Sequence, residues 1–109
     1  MRLLVAVIVK REKFEELLEA LIEIGVPGIT LLDSVGAIDY LKEEVPIFAG
    51  FRALFDGQTA FSKTIFSVIP DEMEEKALDE IEKVLGDLGK PDTGIAFTLP
   101  VAEVRGLRK

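Results

Sequence analysis

The chain opens on an almost unbroken apolar run over residues 3–9, in which Val5, Val7, Ile8 and Val9 are β-branched. A run this short, stopped by Lys10-Arg11-Glu12, predicts a buried strand. It is at the short limit for the apolar centre of a secretory leader, and no small-residue cleavage site follows it. Over residues 13–24 the spacing changes to three and four. Phe14, Leu17, Leu18, Leu21 and Ile24 recur on one stripe with Glu15, Glu16, Glu19 and Glu23 between them, which predicts an amphipathic helix. Gly25 suits the position just past its end, and Pro27 blocks continuation. Residues 28–35 read as a second strand and residues 63–69 as a third. Pro70-Asp71-Glu72-Met73-Glu74 predicts a helix start, with Asp71 as the N-cap and Glu74 close to a capping box. Met73, Ala77, Ile81, Val84, Leu85 and Leu88 form the stripe of that helix, which Gly89 and Pro91 are expected to end. Residues 94–99 read as a fourth strand.

The order is β-α-β, a long connector, then β-α-β, and the halves echo each other at Gly25-Val26-Pro27-Gly28 and Gly89-Lys90-Pro91. A duplicated unit of this size predicts an α+β, ferredoxin-like split-βαβ sandwich, with four antiparallel strands and both helices on one face. Strands one and three are apolar at nearly every position, so both sheet faces are expected to be buried. One chain has no second layer to supply, and self-association through the open face follows.

The connector, residues 36–62, exceeds the usual length of an ordered loop. Its stretch 45–55 holds three of the seven Phe, with Ile47, Phe51, Leu54 and Phe55 at helical spacing after Pro46. This predicts a short amphipathic helix. Phe48, Phe51, Arg52 and Phe55 either pack within the assembly or dock a partner protein.

The chain has 109 residues, enough for one domain over residues 1–109 and too few for two cores. Thirteen Lys and Arg against twenty Asp and Glu leave a net charge of −7, which argues against nucleic-acid binding. With no Cys and no His, disulfides, thiolate zinc sites and the usual catalytic nucleophile–base pairs are all excluded. The absence of Asn and the single Gln, with many Glu and Lys, fit a thermophile. No run approaches the roughly 18 apolar residues of a membrane span, so a cytoplasmic protein is expected.

Gly25-Val26-Pro27-Gly28-Ile29-Thr30, Asp33-Ser34-Val35-Gly36, Val68-Ile69-Pro70-Asp71 and Gly94-Ile95-Ala96-Phe97-Thr98-Leu99-Pro100-Val101 together resemble the PII signal-transduction proteins, from Met1 to about Arg108. The resemblance implies a homotrimer with ligand clefts between subunits, a T-loop at residues 36–62, and a regulatory rather than enzymatic role. It places effector-cleft candidates at Thr30, Ser34, Gly36, Ala37, Ile38, Lys90, Thr93, Gly94, Arg105 and Arg108.

The departures from that pattern are specific. The nitrogen-regulatory branch holds ATP or ADP with a Gly-x-Gly and a glutamine at the T-loop base, where this chain reads Gly36-Ala37-Ile38-Asp39-Tyr40. The family's Gly-Lys reads Gly94-Ile95, and its Arg-x-Arg pair is reduced to Arg108 with Arg105 nearby. Tyr40 lies near the loop base, away from the apex where the family carries its modified tyrosine. Weak or absent ATP binding is therefore expected, with an adenine nucleotide of lower charge tolerated better.

Each candidate has a plain structural alternative. Lys90, Thr93 and Gly94 form an anion cradle or simply a helix stop with a dipole-matched lysine. Arg105, Arg108 and Lys109 reach the intersubunit cleft or form a solvated tail. Glu43-Glu44 and Asp71-Glu72 read as solvated charge and helix capping rather than acid–base pairs. The carboxylates of Glu15, Glu16, Glu19 and of Glu72, Glu74, Glu75 fall on exposed helical faces, and no loop shows the alternating oxygens of a Ca²⁺ site, so no metal is expected. Two functions stay open: an effector-sensing trimer that signals to a target protein, and a constitutive trimeric interaction module. A metal-binding relative of the same fold is a distant third.

Overall fold

The structure, a computed structural model, describes residues 1–44 and 61–107. Four strands, β1 (Arg2–Ile8), β2 (Thr30–Asp33), β3 (Lys63–Ile69) and β4 (Ile95–Pro100), form one antiparallel sheet in the order β2-β3-β1-β4. Helices α1 (Phe14–Glu23) and α3 (Glu74–Leu85) pack side by side on one face of it. Between β2 and β3 lies α2 (Ala37–Glu44). This is the expected α+β, ferredoxin-like arrangement.

Strand alternation decides the core. Leu4, Ala6 and Ile8 of β1 and Ile65 and Ile69 of β3 point to the helices and are fully buried against Leu17, Leu21, Ala77, Ile81 and Leu85. Each large side chain among them stabilises the fold by about 1.5–3 kcal/mol relative to exposure. Ser67 is the polar member of that layer, and its hydroxyl donates to the Pro27 carbonyl at 3.3 Å. The opposite face is also apolar. Val5 pairs with Phe66 on one side and Phe97 on the other, and Leu3 pairs with Val68 and Leu99. Among the described residues this face is only partly covered: Phe97 and Leu99 are 39% and 48% exposed.

Several boundaries differ from those expected. Strand two is confined to Thr30–Asp33, and α2 occupies part of the connector that the pattern left as loop. The low apolar content of Asp39-Tyr40-Leu41-Lys42-Glu43-Glu44 hid that helix. The helix expected at residues 45–55 lies outside the described residues. Helix α3 ends at Leu85, not at Gly89, because Gly86 takes φ +95 and turns the chain away.

The capping box is absent. Asp71 opens a 3-10 turn, Asp71–Met73, whose N-cap is Pro70. Its carboxylate instead accepts from the Met1 ammonium at 2.8 Å. Glu74, also expected on an exposed face, turns back to the sheet and accepts from the Thr98 hydroxyl at 2.7 Å and from Arg2 Nε at 3.2 Å. Two nearby cations outcompeted the helix amides for these carboxylates.

Candidate functional site

The sheet has one chemically dense end. There β1 and β2 finish and β3 and β4 begin, so four segments meet: the β1–α1 turn, the exit of β2, the return into β3, and the loop 86–94 before β4.

The two limbs of the connector are joined at their roots. Ser34 Oγ lies 2.7 Å from Ser62 Oγ, the Thr64 hydroxyl donates to Ser34 Oγ at 3.0 Å, and Ser34 N–H donates to the Ser62 carbonyl at 3.3 Å. The Lys63 ammonium pairs with Asp33 beside them. Ser62 and Thr64 escaped the sequence reading, since hydroxyls scattered 28 and 30 positions from Ser34 leave no local signal. Gly36 begins α2 by accepting from Tyr40 N–H at 2.9 Å. Ala37 and Ile38 stand exposed in that helix's first turn, Ile38 at 68%. Thr30 lies at the far end of β2, opposite Phe66 on the open face.

Loop 86–94 is short and tightly shaped. Asp87 accepts from Gly89 N–H at 2.8 Å, and Lys90 N–H donates to the Asp87 carbonyl at 3.1 Å. Asp92 has φ +59, a conformation Asp tolerates better than most residues. Thr93 is buried, with its hydroxyl turned inward to the Pro91 carbonyl at 3.4 Å, so it presents no donor at the surface. Lys90 is exposed, and no carboxylate among the described residues pairs with it. It is not the lysine that matches the α3 dipole. That place is taken by Lys10, whose ammonium donates to the Leu85 carbonyl at 2.8 Å.

Arg105 lies beyond the other end of β4 from Lys90 and pairs with Glu103 at 2.9 Å. Six residues of extended strand separate the two ends, roughly 20 Å. A single subunit therefore does not bring Lys90 and Arg105 together. Arg108 and the loop candidates Phe48, Phe51, Arg52 and Phe55 lie outside the described residues.

A model of the family described as "Nitrogen regulatory protein P-II" matches residues 2–109. The chain belongs to the P-II family. The match spans the duplicated half-motifs, the connector and the tail alike, so the ferredoxin-like frame is that of P-II proteins as a whole. Proteins of this family are regulatory rather than catalytic. No curated protein sequence matches the chain. On the resemblance to P-II proteins, loop 86–94 is the expected B-loop and residues 36–62 the expected T-loop. Among the described residues no three carboxylates gather as a metal site, and no helix is long and apolar enough to cross a membrane.

Proposed function

We propose that this P-II protein is a cytoplasmic homotrimer that takes a small anionic effector between subunits and signals its presence to a target protein through residues 36–62. The observation that carries this reading is the Lys90 ammonium, unpaired among the described residues and held on a shaped loop at the same sheet end as both roots of the connector. A cation so placed receives a phosphate or carboxylate without first breaking an ion pair. The second cation, Arg105, is supplied by a neighbouring subunit, because its own lies across the length of β4. The open face of Leu3, Val5, Phe66, Val68, Phe97 and Leu99 is what the trimer covers.

The effector is a nucleotide of low charge, such as a nucleoside monophosphate, in preference to ATP. The inward Thr93 hydroxyl removes one donor from the cradle, and each missing charged hydrogen bond costs about 1.5–3 kcal/mol. Calorimetry with AMP, ADP and ATP on the assembled protein tests the order. Tighter binding of ATP than of AMP would reverse it. Binding of none of them, with the trimer intact and a partner still captured by wild type but not by Phe51→Ala, would favour the constitutive interaction module. The buried Thr93 hydroxyl is the observation on that module's side.

A further inference from the structure

The β1–α1 turn touches two segments that are remote from each other in sequence. Lys10 Nζ donates to the Leu85 carbonyl at 2.8 Å across 75 positions, in a partly buried setting. That carbonyl belongs to the last turn of α3, which has no partner within its own helix, and it sits at the negative end of the helix dipole. Arg11 comes next. Its guanidinium stands 4.8 Å from the centroid of the Phe61 ring, and Phe14 packs edge-on against the same ring at 5.6 Å. The turn that carries these side chains is closed by Lys13 N–H donating to the Lys10 carbonyl at 3.1 Å. Gly94, at the far end of loop 86–94, lies so near the Val7 carbonyl that a Cβ there would come within 2.6 Å of it. Residues 7–10 thus seat both ends of the B-loop, and residues 11–14 seat Phe61, where the chain returns toward β3.

We infer that Lys10 is the positioning residue of the B-loop, and that the closed turn it belongs to couples this loop to Phe61. The inference rests on the proposed effector site for its purpose only, since the coupling is a property of the subunit without ligand. Release of the Lys10 bond frees the Leu85 carbonyl at the point where Gly86 already gives the chain rotational freedom. It also loosens the residue adjoining Arg11, and with it the cation on the Phe61 ring. The linkage is reciprocal: removing the ring must loosen the B-loop. An effector held by Lys90 would thereby be felt at Phe61, next to the hydroxyl cluster at Ser62.

Amide hydrogen exchange at Gly86 and Lys90 reads the B-loop directly, because both amides are bonded there, to the carbonyls of Glu82 and Asp87. Lys10→Met should accelerate exchange at both by about three- to tenfold, and Lys10→Arg, whose guanidinium reaches the same carbonyl, should restore it. Phe61→Leu leaves Lys10 and Leu85 intact, yet it should accelerate the same two amides. The double variant should exchange more slowly than the product of the two single effects. Unchanged exchange in Phe61→Leu overturns the coupling, and failure of Lys10→Arg to rescue overturns the positioning role. Should Phe61→Leu fold poorly, Arg11→Gln at an exposed site removes only the cation over the ring and is held to the same outcomes. A parallel titration with AMP judges the effector site separately, so loss of one conclusion leaves the other standing.

Discussion

The hydroxyls of Ser34 and Ser62 lie 2.7 Å apart although 28 positions separate them along the chain. Together with Thr64, which donates to Ser34, they close the root of the connector. Ser34 is the hub, since it alone touches both other hydroxyls. Ser34→Ala should therefore cost about 1–2 kcal/mol, stranding the Thr64 hydroxyl as well as the Ser62 one. Ser62→Ala leaves the Ser34–Thr64 bond intact and should cost about half as much. Melting curves of the two variants check the order; equal losses would mean that the cluster is not organised around Ser34.

Gly94 meets two constraints at once. Its φ of +126 is unfavourable for any side chain, and the backbone oxygen of Val7 leaves no room for a Cβ. Backbone atoms do not move aside as a flexible side chain does. Gly94→Ala should lower stability by about 2–4 kcal/mol. Gly28→Ala is the control. Nothing lies within 4 Å of its added Cβ and its φ is ordinary, so it should change stability by no more than about 0.5 kcal/mol. Chemical denaturation of the two variants measures the contrast.

Much of this frame was legible because it rests on periodicity. Leu4, Ala6 and Ile8 alternate, Leu17 and Leu21 recur at helical spacing, and both signals survive without knowledge of tertiary contacts. The third strand runs over the residues the pattern predicts, 63–69. What escaped was set by contacts distant in sequence. Asp71 has the right place for an N-cap, yet the Met1 ammonium reaches it first. Lys90 looked like the lysine at a helix end, but Lys10 arrives from across the fold and takes the Leu85 carbonyl. Gly86 and Gly89 are equally good helix stops in sequence, and Leu85, packed in the core, falls at the end of the stripe that the core can use. Ser34, Lys90 and Gly94 are candidates that the family pattern alone singles out, whereas Ser62, Thr64, Lys10 and Phe61 owe their places to pairings no local pattern encodes.

Asp71 gives a pH dependence with a definite sign. A hydrogen bond from the Met1 ammonium holds its carboxyl below the ordinary 3.8, helped by that ammonium's charge and by Arg2, while slight desolvation opposes. A carboxylate with a depressed folded-state pKa contributes stability above its unfolded value, and that contribution is lost as pH falls through the folded one. Asp71→Asn should thus melt below wild type at pH 7, and the two curves should converge once the pH is well under 3.8. Asp71 itself is exposed, so the gap should be small and should shrink in high salt. A gap that persisted undiminished at low pH would assign the role of Asp71 to packing or to its turn rather than to its charge.

The sheet's uncovered face carries the last prediction. Val5 is flanked by Phe66 and Phe97 across the two ladders, so the three side chains form a row at the middle of the sheet. If three copies bury this row, a charge placed in it must either enter an apolar interface unpaired or keep the subunits apart. Separation costs less, because an unpaired buried carboxylate loses several kcal/mol of hydration. Phe97→Asp should therefore shift the protein from about 36 kDa, three chains of 12.0 kDa, toward the single-chain mass in light scattering. Ile22→Asp is the matching control. Ile22 is 64% exposed on α1, in the layer on the other side of the sheet, and the same charge there should leave the assembly unchanged. Dissociation by Ile22→Asp with Phe97→Asp still trimeric would place the subunit contact on the helical layer. A wild-type monomer at micromolar concentration would remove the covered face altogether, and with it the proposed two-subunit cleft of Lys90 and Arg105.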